Sequence, residues 1–397
     1  MPCTKLLILP LLLVLACDGE STDTSGKDTA DTAADTADTA DTSDTGTDTG
    51  TDTGTETGDT ADNPPIPESG YFGPPVVLVL ADDGAGGAEV HLIDPTTGVA
   101  SVVTGVTASP TATLGCAGKY AWVMSDAAIG INPREKAVAQ TLALDSGFAP
   151  QAVFYQSPNL WFGGTGSASI VAFDEAGAAA GSVDLSSVAD ADGKPDVMGF
   201  LTGSAGVSAV LARVNRTSGA YEASGVAVLD LTGTGSLSSS GVVTGGNAGR
   251  DSVGTPLGVL MALEPHGGTG ATLEIFDTST LASGGVVLDL SGATFVGMTS
   301  GGNDGTIWIA TKAGGIVTVD HYIADGTSIG TITTATSGDL LAVGPPNLWS
   351  GEGTSVLPYD MTTGVSGTAV DIGSTIYSMA ACQPPPMIPD TGEEPPA

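Results

Sequence analysis

The feature that most limits what this chain can fold into is a short phrase of sequence that keeps returning. EVHLIDPTTGVASVV, residues 89–103, reads as a strand, an Asp, a tight turn and a second strand. Related phrases follow: IVAFDEAG with Asp174, AVLDLTG with Asp230, LEIFDTST with Asp277, IVTVD with Asp320 and LPYDMTTG with Asp360. IGINPREK carries Asn132 at the same place. Successive markers stand 38, 42, 56, 47, 43 and 40 residues apart. An Asp that closes an alternating apolar run and precedes Thr or Gly accepts the backbone N–H groups of the turn it opens. The repeated Asp is therefore read as a turn residue. A ring of catalytic or metal-binding carboxylates would need every copy to converge on one point, and the outer turns of separate units do not converge.

A period of about 40 to 45 residues with several strands per unit marks the blades of a propeller. Composition agrees: 58 glycines and only 14% charged residues suit strands and tight turns better than helices. Each unit divides into an inner strand A, then B, C and an outer D, although the A strand of the fifth unit is poorly marked. The first unit lacks an A strand. IYSMAAC, residues 376–382, has the character of one and no unit after it. It is expected to pair inside the first sheet, which closes the ring without an open edge. The expected fold is all-β: a seven-bladed β-propeller over residues 71–383, closed by the C-terminal strand. A pair of β-sandwiches is the alternative.

The repeats resemble the seven-bladed propellers of the quinoprotein-like and YVTN surface-layer type, over roughly residues 71–382. Count and spacing carry that resemblance. The Trp-Asp dipeptides of WD40 repeats are missing, and so is the Trp-docking pattern of quinone-dependent dehydrogenases. Trp122, Trp161, Trp308 and Trp349 each fall on a B strand, where they are expected to pack between blades.

Ahead of the repeats, Lys5 precedes the apolar run LLILPLLLVLA, residues 6–16, and then Cys17. The run is shorter than the about 20 residues that cross a bilayer, and it fits an export signal. Leu13-Val14-Leu15-Ala16-Cys17 resembles the lipobox of bacterial lipoproteins. The resemblance implies removal of residues 1–16 and acylation of Cys17, palmitate included, with more than one chain for stable anchoring. It implies a lipid-anchored, extracytoplasmic place in the cell envelope: outer membrane, cell surface or periplasm. Residues 17–70 are an Asp/Thr-rich, low-complexity stretch, expected to act as a disordered, self-repelling tether. Residues 384–397 are a Pro-rich tail expected to be disordered.

The net charge of −35 argues against nucleic acid, which needs a concentrated Lys/Arg surface. Of the four cysteines, Cys3 leaves with the signal and Cys17 is acylated. Cys116 and Cys382 each end an A strand, in neighbouring blades. In an oxidising compartment they are expected to form a disulfide; two buried thiols are the alternative.

The long interval between Asp174 and Asp230 marks extra residues in the fourth unit, in loops 188–196 and 215–224. Loops 245–254 and 264–270 of the fifth unit open on the same face. Lys194, Arg213, Arg216 and Arg250 belong to this patch, with Tyr221 and His266 beside them. A guanidinium cluster suits a carboxylate, sulfate or phosphate; ordinary solvated loop charge is the competing reading. Asp190, Asp192 and Asp196 around Gly193 resemble half of a calcium loop, which would make Ca²⁺ the cation taken. The bidentate Glu of an EF-hand is missing, so no resident cofactor is expected. His91, His266 and His321 lie in different blades, with His91 expected at the surface. G-x-S-x-G, H-E-x-x-H and Walker sequences are absent. The reading is a monomeric, membrane-anchored binding module for an envelope protein, a glycan or a small anionic ligand. A propeller hydrolase or lyase with a funnel metal, and a structural envelope scaffold, are the alternatives.

Overall fold

The computed structural model describes residues 70–384 apart from 189–195, 204–205, 215–220, 244–246, 256–257, 266–270, 278–279, 281, 291, 301–305, 324, 334–339 and 345. The first three strands are β1 Val76–Asp82, β2 Ala88–Ile93 and β3 Ala100–Val102. Next come β4 Thr113–Ala117, β5 Tyr120–Met124, β6 Ala127–Asn132 and β7 Ala137–Ala143. They are followed by β8 Ala149–Gln156, β9 Asn159–Thr165, β10 Ser169–Asp174 and β11 Ala179–Asp184. Then come β12 Asp196–Gly203, β13 Gly206–Val214, β14 Tyr221–Asp230 and β15 Ser236–Val243. The fifth group is β16 Asn247–Thr255, β17 Gly258–Pro265, β18 Thr272–Asp277 and β19 Ala282–Asp289. The sixth is β20 Thr294–Ser300, β21 Thr306–Ala313, β22 Ile316–Ile323 and β23 Ser328–Thr333. The last strands are β24 Leu340–Gly344, β25 Asn347–Glu352, β26 Ser355–Asp360, β27 Val370–Asp371 and β28 Ile376–Cys382.

These strands form seven four-stranded antiparallel sheets among the described residues. Six are consecutive meanders, and the remaining one has the order β28-β1-β2-β3. The last strand thus completes the first sheet, with Val76 opposite Cys382 and Leu80 opposite Ser378. Inner strands touch in a closed cycle: β28 to β4, β8, β12, β16, β20, β24 and back to β28. The chain is a β-propeller whose ring has no beginning or end at strand level. Closure removes the unpaired edge that an open array would leave at its first sheet.

Adjacent sheets bury both of their faces. Trp122, Trp161, Trp308 and Trp349 sit on β5, β9, β21 and β25 and are at most 5% exposed, as inter-blade packing requires. Small residues let the sheets close up. A Cβ on Gly163 would clash with the Val197 side chain, so glycine at that position lets β9 and β12 approach as they do. His91 corrects an expectation. It lies on β2, is 5% exposed, and shares a hydrogen bond of 2.8 Å between Nε2 and Glu89 Oε1. Alternation along a blade strand points a side chain at a neighbouring blade, not at solvent.

The marker aspartates hold turns. Asp94 Oδ1 accepts the Thr96 and Thr97 N–H groups, and Asp174 Oδ1 accepts those of Ala176 and Ala178. Asn132, Asp230, Asp277 and Asp360 do the same. Asp320 is the exception. It lies inside β22, and its Oδ1 accepts from Thr331 Oγ1 on β23. The sixth sheet's turn residue is Asp325, whose Oδ1 accepts the Thr327 N–H. That strand runs on through HYI before it turns, which the phrase IVTVD alone does not reveal.

A disulfide joins Cys116 on β4 to Cys382 on β28, with Cα atoms 5.4 Å apart and a sequence separation of 266. It staples sheets 1 and 2 on their inner strands. On the same side, residues 70–74 lie against the ends of β4 and β8, in sheets 2 and 3, as a strap. Gly70 N–H donates to Tyr155 O, Phe72 N–H donates to Gly118 O, and Gly118 N–H donates to Gly70 O. Tyr71 Oη donates to Pro74 O, and burial pushes its phenol well above the ordinary range.

Candidate functional site

Antiparallel meanders fix which ends of the strands meet. A strands begin, B strands end and C strands begin at one mouth of the ring. At that mouth the inner strands share an irregularity. β8, β12, β16, β20 and β28 each carry a one-residue bulge near their start, at Gln151, Met198, Arg250, Val296 and Tyr377. The bulges of β8 and β20 face the second and third residues after Trp161 and Trp308, so they are at equivalent heights. Strands β4 and β24 begin at this level, with Thr113 and Leu340 as their first residues. A bulge leaves one residue out of the ladder and re-aims it, which is why bulges collect beside functional sites.

The mouth is chemically mixed. Thr113 Oγ1 donates to Gln151 Oε1 at 3.0 Å across two blades. Met198 is 37% exposed, a large apolar side chain left open at the rim. Desolvation, then the negative charge of the Asp82 carboxylate and a hydrogen bond to it, push the Tyr377 phenol upward. Asp196, the first residue of β12, is 3% exposed.

The sequence-derived patch is placed as follows. Arg213 is the penultimate residue of β13 and Tyr221 the first of β14, where Val214 pairs with Tyr221. Arg250 is the bulged residue of β16. Tyr221 and Arg250, read as loop residues, are strand residues, which corrects the sequence reading, while Arg213 lies on the B strand as read. The segment 247–255, read as loop, is the missing inner strand of the fifth sheet. NAGRDSVGT hides it because small and charged residues replace the apolar alternation that announces a strand. Asp196 begins β12, Arg213 lies near the end of β13, Tyr221 begins β14 and Arg250 lies near the start of β16, so their backbone positions are at one end of the strands. Lys194, Arg216, His266, Asp190 and Asp192 lie outside the described residues, as do Cys17, the tether and residues 385–397. The bulge ring itself was missed; its only trace in sequence is a slip in alternation near each A strand's start.

A cleft of about 260 Å³ opens between sheets 6 and 7 and reaches the mouth, with the bulged Val296 and Leu340 in its lining beside Met298, Trp308, Ser378 and Met379. A second, about 600 Å³, lies between sheets 7 and 1 at the opposite end of the strands. No group of three or more His, Cys, Asp or Glu suited to a metal ion occurs among the described residues.

No family model matches the chain, and no curated protein matches it. Solved structures do resemble it in shape. A candidate 6-phosphogluconolactonase from Bacteroides fragilis aligns at 12% identity and TM-score 0.50, over 77% of this chain and 97% of that one. A second, from Bacteroides uniformis, aligns at 9% identity and TM-score 0.54, over 77% and 99%. Both are β-propeller proteins. At such identity the likeness concerns the fold alone.

Proposed function

We propose that this chain is an exported, lipid-anchored propeller that binds a small anionic ligand at the mouth of its ring, as a binding module of the cell envelope. The observation that carries the reading is the position of Arg250. It is the residue squeezed out of the ladder on an inner strand, at the place where Gln151, Met198, Val296 and Tyr377 stand in other sheets. Arginine at that position suits a carboxylate, sulfate or phosphate, because a guanidinium carries a planar fork of N–H donors that matches such groups. Arg213 is the penultimate residue of the neighbouring sheet's B strand, at the same end of the strands. The Cys116–Cys382 bond supports export, because such bonds persist in oxidising compartments. Cys17 is the anchor in this reading.

Calorimetric titration of the full chain with phosphate, sulfate and a dicarboxylate tests the binding. Saturable binding of at least one is expected, weakened about 10- to 100-fold by Arg250→Ala, the range of a lost charge-assisted bond. No binding, or binding that Arg250→Ala leaves unchanged, refutes the site. Fractionation tests the anchor: Cys17→Ser moves the protein from the membrane to the soluble fraction, and retention in the membrane refutes it.

A further inference from the structure

The two outermost strands at the seam between sheets 7 and 1 are the shortest described. β27 has two residues and β3 has three, whereas the outer strands of the other sheets have six to eight. The missing length leaves the groove of about 600 Å³ between two hairpins, 94–98 and 360–368. Both hairpins begin with the same D-x-T-T-G-V sequence.

The walls are polar and carry little charge. Thr96, Thr97, Ser366 and Thr368 contribute hydroxyls, Asn347 an amide and Asp360 a carboxylate. Asp360 Oδ1 is occupied by the Thr362 and Thr363 N–H groups and the Thr363 hydroxyl, while Oδ2 takes none of these bonds. Trp349 lies at the floor, 1% exposed, and its Nε1–H has no hydrogen-bond partner. On its core side Trp349 packs in a cluster with Val77, Val79, Ile93 and Val356. Buried N–H donors are almost always satisfied. Trp349 itself lines the groove, so a ligand there comes up against this residue.

Among the residues that line the groove no Lys, Arg or His occurs, and the one charge is negative, which disfavours an anion. What the lining matches is a ligand dense in groups that both donate and accept. Adjacent hydroxyls donate to a free carboxylate oxygen and to an amide oxygen, and ring or hydroxyl oxygens accept from N–H and O–H donors. We infer that this groove binds a neutral oligosaccharide. The site lies on the face opposite Arg250 and does not depend on the anion site.

Titration of the full chain with chitotetraose, cellotetraose, maltotetraose and mannotetraose, followed by calorimetry and tryptophan fluorescence, tests it, with trigalacturonate as the charged comparator. The obstructing variant is Thr368→Trp at an exposed position, and Asn347→Ala removes a polar contact. Saturable binding of at least one neutral tetrasaccharide is expected, with about tenfold or greater weakening in Thr368→Trp and an unchanged Tm. Trigalacturonate is expected to bind more weakly than the best neutral sugar. The proposal is overturned if no neutral sugar binds up to about 10 mM, if Thr368→Trp binds as well as the unaltered chain, or if trigalacturonate is preferred.

Discussion

The closing strand β28 has two neighbours, and the two seams it makes are unlike. Toward sheet 2 it is stapled by Cys116–Cys382 and packs into a cluster with Leu78, Leu80, Val90, Val123 and Ile131. Toward sheet 7 it packs beside Trp349, Val356 and Ile372, with no covalent link, and the outer strands there shrink to two and three residues. One seam holds the ring together. The other is as well buried at its centre but open at its outer edge. A propeller can afford an open outer edge only where the inner ring does not rely on it, and the staple next door supplies that independence.

Removing the staple is expected to have the largest effect. The bond closes a loop of 266 residues, and the chain-entropy argument assigns such a loop about 5 kcal/mol. Paired Cys116→Ser and Cys382→Ser changes should lower unfolding free energy in urea by that order. A loss no larger than that of an ordinary surface substitution would mean that the two seams do not differ in this way.

Trp349→Ala tests the centre of the open seam. It empties a fully buried site, so about 3–5 kcal/mol should be lost. The matched change Val102→Ala on the neighbouring short strand β3, 50% exposed, should stay within about 0.5 kcal/mol. Equal effects would show that burial at this seam is shallower than described.

Acid should act more gently. Backbone N–H and Thr hydroxyl groups in their turns hold the Asp325 and Asp360 carboxyls below the usual carboxylate range; for Asp230 the Thr232 hydroxyl leads and its N–H follows. A depressed folded-state pKa contributes stability above the unfolded-state value and loses it as pH falls through the folded one. Tm should therefore decline as pH drops below about 4. Asp360→Asn, which keeps an acceptor but cannot titrate, should flatten part of that decline. An unaltered acid limb would detach this turn from the pH response.

Much of the fold was legible because the signals were local and repeated. Turn aspartates, alternating strands and one orphan strand at the end were enough to set the sheets and the closure. The misreadings have physical causes. Arg250 was assigned to a loop because β16 lacks the apolar alternation that a strand usually shows, its pairing being supplied by the neighbouring β17. His91 was placed at the surface because the rule of one wet face fails in a blade flanked on both sides. Asp320 was taken for a turn residue because β22 continues three residues beyond it. Of the candidate site, only which loops share a side of the ring was readable, from loop order. The bulges and the groove at 94–98 and 360–368 were not, since both arise from how separate sheets meet.

Peptide mapping of the non-reduced, mature protein by mass spectrometry tests the closure of the ring most directly. The account expects the Cys116 peptide to be recovered covalently joined to the Cys382 peptide from the same chain. Recovery of both as free thiols, or of Cys116 joined to a second copy of the chain, would contradict a ring that its last strand closes.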